Sequence, residues 1–516
     1  MTFGDLAVKE FSELFNEDYN TQLEEWGKTL KVELKLEDIS SKIVKNHIDL
    51  GPVPTLTTEA VKSFELGCAT SWKKASQTYL RIDKSKIISQ LTDDLEAGVR
   101  LFFINKDSLE PKEWDDMQEF LAKSNHADEI EIYLLGQKRI SSKTELKVVD
   151  ELDMIIARDV FDFGGHNVLE LAVLAARLVE NLPKNDFTIA VSVDSHFFKN
   201  IAKIRALKLI ALKIFKEAGI SSQTRLVTLS SYRDWTLYER YSNILRNNTQ
   251  VASAYIAGAD AVQSSGYQSV FEVETDDMDA IHSERSLRIA RNTSHILALE
   301  SMLGIVEDAA YGSFHLENLS HKYAESAWLL MQQLLKLAPQ DRKDFIFQEV
   351  IKTRSERSLR IQTRKDVKAG LNDFPDGKEF LQIHLNKPST FRVAREFEEL
   401  RLKVESLKSK PVIQIMMKGS LAELSNRLSF IKNYFELIGL EVKAPTTDFG
   451  VDENDILVLC AKDEDYPELI TQTEMMKNQL KFVAGKVESS HFQMIHAGQN
   501  IFQVLSSLVT KLAGNK

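Results

Sequence analysis

From Leu101 onward, short apolar runs alternate with longer amphipathic ones. Leu101-Phe102-Phe103-Ile104 and Glu131-Ile132-Tyr133-Leu134-Leu135 have the length and branching of buried strands. Further strands are predicted at 153–157, 187–193, 224–229 and 260–263. Helices are predicted between and after them at 112–124, 168–182, 197–218, 241–257 and 285–301. In the second of these, Leu169, Leu171, Ala172, Leu174, Ala175 and Leu178 keep a helical period. Repeated strand–helix units imply a parallel sheet covered by helices, and seven or eight in a row favour a (β/α)8 TIM barrel. The alternation stops after 371–375. A highly charged helix over 392–408 is expected to span between domains. A second α/β unit then reads as strand 412–417, helix 421–438, strand 456–460, helix 466–480, strand 481–484 and helix 500–513, the size of a flavodoxin-like domain. The expected organisation is an arm at 1–40, a barrel at 41–375, a charged helical linker at 376–410 and the flavodoxin-like α/β domain at 411–516.

Composition narrows this little. The 516 residues are 43% hydrophobic and 27% charged, ordinary for a globular chain. The net charge of −11 disfavours nucleic acid as the main partner, since phosphate backbones need a basic face. Cys68 and Cys460 are far apart and belong to no Cys/His cluster, which argues against a zinc site or disulfide framework and fits a reducing compartment. The first residues lack a signal-peptide core, and no segment has the roughly 20 apolar residues of a membrane span. The expected location is cytoplasmic, with no membrane partner. In the arm, Phe3, Phe11, Leu14, Phe15 and Trp26 stand among acids, as in a segment that packs on a neighbouring subunit.

Candidate chemistry is sparse. There is no Walker A, no dinucleotide fingerprint, no H-E-x-x-H and no G-x-S-x-G. His166, in Gly164-Gly165-His166-Asn167, follows a strand where barrel enzymes place catalytic groups. The stronger reading is a helix-start loop in which Asn167 is the cap. Asp194-Ser195-His196 reads as an acid–base cluster or, preferably, as the cap of the helix from Phe197, because adjacent side chains on extended backbone point to opposite sides. Arg285, Arg288 and Arg291 are spaced to share a helix face. They suit a CoA phosphate, but more often such a row is solvated or pairs with acids of a neighbouring chain. The echo S-E-R-S-L-R-I at 283–289 and 355–361 marks two separate basic helices, not a repeat architecture.

Longer motifs go further. Ile201-Ala202-Lys203-Ile204-Arg205-Ala206 resembles the I-A-K-x-R-A helix of the methylmalonyl-CoA mutase family. Asn243-Ile244-Leu245-Arg246 resembles its N-x-x-R-T-T, Arg288-Ile289-Ala290-Arg291-Asn292-Thr293 its R-I-A-R-N-T, and Glu300-Ser301 the glutamate that follows. Asp308, Gly312, Ser313, Phe314 and Glu317 are similar to D-P-x-G-G-S-Y/F-x-x-E, and Gly370, Asn372 and Phe374 to V-G-V-N-x-F. The resemblance is strong across roughly 196–320 and collinear from about 65 to 375. It implies an acyl-CoA mutase-like (β/α)8 barrel followed by a cobalamin-binding-type domain.

The departures fall on positions the family uses for catalysis. Thr236-Leu237-Tyr238-Glu239-Arg240 stands where catalytic chains have T-A-Q-Q/D. Ala261-Val262-Gln263-Ser264-Ser265 replaces S-L-H-T-N, and Ala157-Arg158-Asp159 falls where G-Y-H supplies a histidine. T-I-R-Q-Y-A-G-F has no counterpart. The cobalamin-ligating D-x-H-x-x-G is absent: the loop after the first strand of the last domain is Met417-Lys418-Gly419-Ser420-Leu421-Ala422-Glu423, and His491 and His496 lie far from it in sequence. Val458-Leu459-Cys460-Ala461-Lys462 before Tyr466 and His496-Ala497-Gly498-Gln499-Asn500 look like stretches of the family's small subunits. The resemblance therefore implies a non-catalytic small subunit with a degenerate cobalamin-binding-like domain. No catalytic, cofactor-binding or metal-ligating residue is expected on this chain, and adenosylcobalamin is expected on a homologous large catalytic subunit in a heterodimer. The alternatives are a subunit of another acyl-CoA mutase working with a separate cobalamin chain, or a regulatory paralogue.

Overall fold

In the computed structural model, residues 86–514 are described almost throughout. Short gaps fall at 139–141, 183–185, 276–283 and 448–451 and at a few single positions. Before residue 86 only a hairpin pairing Val44–His47 with Gly51–Pro54, one strand and isolated residues are described. The arm predicted at 1–40 and Cys68 thus lie outside the described residues, but for Lys28 and Val32.

The first half contains eight parallel strands in two ladders. One ladder joins β1 (Ser76–Tyr79), β2 (Leu101–Asn105), β3 (Glu131–Leu135) and β4 (Lys147–Asp150) in that order. The other joins β5 (Ile155–Ile156), β6 (Asp186–Val193), β7 (Gln223–Ser230) and β8 (Ala261–Val262). Around them lie α1 (Ile87–Glu96), α2 (Pro111–Ala122), α3 (Asn167–Glu180), α4 (Phe197–Ala218), α5 (Ser242–Ile256) and α6 (Glu284–His295). Among the described residues no ladder pair links one sheet to the other, so the expected closed barrel is found as two four-stranded parallel sheets.

Strands covered on both faces are apolar throughout, which explains the unbroken runs in the sequence. Phe102, Ile104, Ile132 and Leu134 pack outward with Leu91 of α1 and Trp114, Met117 and Leu121 of α2. The alternate residues Leu101, Phe103, Tyr133 and Leu135 share a core with Ala190, Val227, Leu229 and Ala261 of the other ladder. The inner faces of the two sheets therefore pack on each other. Phe103 stacks on Tyr133 with ring centroids 5.0 Å apart. Arg225 of β7 donates from Nε to Tyr133 Oη at 2.5 Å and pairs with Glu131. Burial outweighs that arginine and pushes the Tyr133 phenol up to about 12.

Sequence reading missed β1 and β4, whose S-Q-T-Y and K-V-V-D carry too few apolar residues to stand out. It also left unassigned the long helix α7 (Phe314–Lys336), and of α8 (Pro339–Gln362) it read only the basic stretch 355–361 as helical. α7 buries Leu316, Leu319, Tyr323, Ala327, Met331 and Leu334, a stripe at helical spacing, against α3 and α4. None of the described helices is long and apolar enough to cross a membrane.

The charged helix is α9 (Arg395–Glu405), and it is not a solvated rod. Phe397, Leu400 and Val404 join the core of the last unit. Its charges turn toward the first half: buried Arg392, just ahead of it, donates to Glu274 and Glu398, both at 2.6 Å, and to Trp235 O at 3.1 Å. Arg395 also pairs with Glu274, and Arg401 lies 3.8 Å from the Tyr238 ring centroid.

The last unit has β9 (Ile413–Lys418), β10 (Ile456–Ala461), β11 (Lys481–Ala484) and β12 (Gln493–Ile495) in one parallel ladder. Val442 and Thr446 bridge to the free side of β9. The chain order across the sheet is then 2-1-3-4-5, the flavodoxin order. α10 (Leu421–Glu436), α11 (Tyr466–Thr473) and α12 (Ile501–Gly514) cover it. α10, α12 and α9 share a core with one face, and Tyr466 and Leu469 of α11 pack on the other. α11 stops well short of the predicted 480, because Asn478 donates to Asp452 O and Asp455 O and holds that segment as a loop beside β10. Cys460 is buried there as a free thiol, pushed up to about 11 by desolvation.

Glu274 accepts from two arginines and is 1% exposed. Glu274→Ala leaves Arg392 and Arg395 short of a partner, so it is expected to lower unfolding free energy by about 3–5 kcal/mol. Chemical denaturation monitored by circular dichroism checks this; a loss indistinguishable from surface substitutions would contradict it.

Candidate functional site

Catalytic groups of parallel α/β folds collect at the C-terminal ends of the strands. At the ends of β5–β8 this chain places a dense set of buried charges. Asp194 follows β6 and His196 precedes α4. These are two residues apart and so share a side: His196 Nδ1 lies 3.1 Å from Asp194 Oδ2 and 3.7 Å from Asp234, which follows β7. The expectation that this stretch does not converge was too strict, because alternation separates neighbours but unites next-nearest residues. The expected side-chain cap of α4 is not found. His196 makes no side-chain cap; Asp194 Oδ1 instead accepts from His196 N at 2.9 Å.

Each charge is met from inside the chain. Arg233 donates to Asp194 from Nε at 3.1 Å and to Gly165 O at 3.0 Å, and lies 3.5 Å from the Phe161 ring centroid. Lys368 reaches Asp234 at 2.9 Å. Lys203 donates to Glu170 at 2.9 Å, and Glu170 Oε1 accepts from Ser192 N at 2.8 Å. Burial would raise the Asp194 carboxyl, but His196 and Arg233 hold it well below the usual carboxylate range. Asp234 is lowered in the same way, with Lys368 and His196 outweighing desolvation. Desolvation dominates the other pair, pushing Glu170 up and Lys203 down.

Asp194, His196 and Asp234 offer ligand atoms within 4.8 Å of one another, a metal-like grouping. Arg233 and Lys368 already neutralise the two carboxylates, so a divalent ion there would face two fixed cations at close range.

The other candidates resolve into scaffolding. His166, rather than Asn167, caps α3: its Nδ1 accepts from Leu169 N at 3.1 Å, while Asn167 donates to Tyr323 Oη at 3.2 Å. Gly164 has φ +111°, and a Cβ on Gly165 would sit 2.6 Å from Val160 O, so both glycines are required by the turn. Arg205 pairs with Asp308 at 3.0 Å and Glu317 at 2.9 Å. Arg246 donates to Thr236 Oγ1 at 2.9 Å, Asn243 Oδ1 at 2.6 Å and Ala369 O at 2.7 Å. Arg291 meets Asp94 of α1 at 2.5 Å, an acid of the same chain rather than a neighbour's. Gln263 is fully buried, accepting from Ser230 N at 2.8 Å, and its Nε2 has no hydrogen-bond partner among the described residues. Asp159 is 59% exposed beside Arg177.

In the last unit, ligands of this fold bind at the switch point between the ends of β9 and β10. There the loop 417–423 closes on itself. Ser420 and Glu423 form a capping box on α10, and Lys462 donates to Glu423 at 2.6 Å. Lys462 and Ser420 hold the Glu423 carboxyl down at about 2. Lys418 pairs with Asp465 at 3.3 Å and with Glu468. His491 and His496 are elsewhere, His491 against Glu474 at 2.8 Å and His496 beside Ala497 O. These residues do not fit a cobalt-ligating loop: no imidazole is present, and the polar groups serve the helix and its ion pairs.

The fold and these sites define a parallel α/β protein whose strand-end positions are occupied by its own ion pairs. A family model described as methylmalonyl-CoA mutase matches residues 173–447, more than half of the chain, and the chain belongs to that family. It is 28% identical over 313 residues to the methylmalonyl-CoA mutase small subunit of Porphyromonas gingivalis, covering 54% of this chain and 48% of that one. It is 27% identical over 305 residues to the small subunit from Propionibacterium freudenreichii subsp. shermanii, covering 54% and 47%. With the small subunit from Streptomyces virginiae it is 28% identical over 360 residues, covering 63% and 56%. The chain thus spans about half the length of the curated relatives it matches.

The depressed Asp194 carboxyl predicts an acid dependence. A carboxyl with a folded value below its unfolded one stabilises fully above the unfolded value, near 4, and that contribution is lost as pH falls through the folded value. Asp194→Asn, which leaves Arg233 buried without its counterion, is expected to cost about 3–5 kcal/mol at pH 7. The gap from wild type should narrow steadily below about pH 4. Denaturation across pH tests this; a gap independent of pH would contradict it.

Proposed function

We propose that this chain is the small, non-catalytic subunit of an adenosylcobalamin-dependent methylmalonyl-CoA mutase. The partner would be a homologous large subunit that holds the cofactor and interconverts (R)-methylmalonyl-CoA and succinyl-CoA. The observation that carries this reading is the loop at 417–423, closed by its own capping box and ion pairs in a chain of this family. A ligand site must keep groups unsatisfied until the ligand arrives, and here they are already satisfied. The charges at the ends of β6 and β7 support the same conclusion.

In this reading the two ladders are halves of a (β/α)8 barrel at 41–375, joined through 376–410 to a degenerate cobalamin-binding-type domain at 411–516, with 1–40 as a subunit arm. The location is cytoplasmic. An exposed apolar strip suits a subunit contact: Ile296, Leu299, Met302, Ile305 and Tyr311 are each 46–61% exposed. Related chains of similar fold readily form a pseudo-two-fold pair.

Two outcomes are expected. Titration of the purified chain with adenosylcobalamin, followed in the visible spectrum, should show no saturable change; a shift to histidine-ligated cobalt at micromolar affinity would overturn the reading. In the assembled heterodimer, Gln263→His or Asp159→His should leave succinyl-CoA formation within about twofold of wild type. A fall greater than about tenfold, without loss of assembly, would show that this chain contributes to the chemistry.

A further inference from the structure

One helix face departs from the pattern of internal neutralisation. α6 runs directly into a π-helical turn, Ile296–Glu300, and the two present a single outward stripe. Arg285, Arg288, Asn292, Ile296 and Leu299 are all exposed. They follow one another at intervals of three, four, four and three residues, which keeps them on one side of a helix. The opposite side is fixed to the chain. Ser286, Ala290 and Ser294 are buried, Ser264 Oγ donates to Ala290 O at 2.8 Å, and the Tyr255 and Ser294 hydroxyls share a hydrogen bond of 2.9 Å.

The charges of the stripe are not met from inside the chain. Arg291, off the stripe, pairs with Asp94, but Arg285, Arg288 and Glu300 form no ion pair among the described residues. Asp93 and Glu96 of α1 border the same groove as the two arginines without pairing with them. The two arginines stand at the start of the element and Glu300 at its end, each placed against the helix macrodipole. The apolar end is equally unprotected. Ile296 and Leu299 are 46% and 51% exposed, and Met302 just beyond is 61% exposed on left-handed backbone.

The spacing of the stripe reads the same in both directions. A two-fold axis at Asn292 sets Arg285 against Leu299 of a second copy and Arg288 against its Ile296. It also brings Glu300 of each copy beside Arg285 of the other, with Arg288 one turn along. We propose that α6 and its π turn form an antiparallel, two-fold contact with the same element of a second copy of this chain. The arginine stems cover the apolar side chains while the guanidinium heads reach Glu300. Asn292 faces its own equivalent on the axis, where a paired amide fixes the register. Each favourable pairing occurs twice, as an isologous contact requires. The self-pairing rests on this chain's own residues and not on the mutase reading; in a heterodimer, a homologous chain would take the place of the copy.

The test is sedimentation velocity on the full-length chain at low ionic strength. Reversible dimerisation is expected. Arg285→Glu with Arg288→Glu should weaken it at least about tenfold, and so should Glu300→Lys on its own. Mixing these two variants in equal amounts should restore the dimer, because in the mixed pair every reversed charge again faces its opposite. Ile296→Ser with Leu299→Ser should weaken dimerisation with no such restoration. All these positions are exposed, and circular dichroism establishes that each variant is folded. As a second measurement, Asn292→Cys should give a disulfide-linked dimer on mild oxidation where the unaltered chain gives none. The proposal is overturned by a chain that stays monomeric at roughly 100 μM, by charge variants that dimerise as the unaltered chain does, or by a mixture that stays dissociated.

Discussion

The structure depends on the cost of burying charge. Removing an ion from water costs several kcal/mol unless a partner and further hydrogen bonds replace the solvent. At the ends of β6 and β7 the chain buries Asp194, Arg233, Asp234, Glu170 and Lys203, and each finds an internal partner. Lys368 is one of those partners, and it lies beyond the long helix α8, so the loop after α8 is tied to the end of a strand more than a hundred residues earlier. Arg392 does the same for α9 by reaching Glu274 and Trp235 O. These contacts fix how the first half meets the helix that supports the last unit. Apolar packing alone would supply more area but less register, because it is not directional.

The same economy governs the strand ends, where parallel α/β folds hold ligands. A preorganised site keeps donors and acceptors aimed at a space, and that arrangement costs stability until the ligand arrives. Here Lys418, Glu423 and Lys462 at the β9–β10 switch point are spent on one another and on the start of α10. Arg205, Asp308 and Glu317, all from stretches that resemble family motifs, form one buried cluster. The motifs that make the resemblance legible are thus largely devices for holding helices together. They identify ancestry and fold and say little about chemistry.

This division explains what the sequence conveyed. α4 was read at its observed bounds because 22 residues of helical pattern end at Gly219, which takes the left-handed conformation that stops the helix. β4 was invisible because K-V-V-D is two apolar residues long and draws its stability from pairing with β3, a contact that sequence pattern does not encode. The Asp194–His196 pair was legible in principle from its two-residue spacing, but its meaning depends on Arg233, Asp234 and Lys368, which converge only in three dimensions. The helix at 392–408 was legible as a charged helix, observed at Arg395–Glu405; its burial was not readable, since the partners Glu274 and Trp235 of Arg392 just ahead of it are over a hundred residues away.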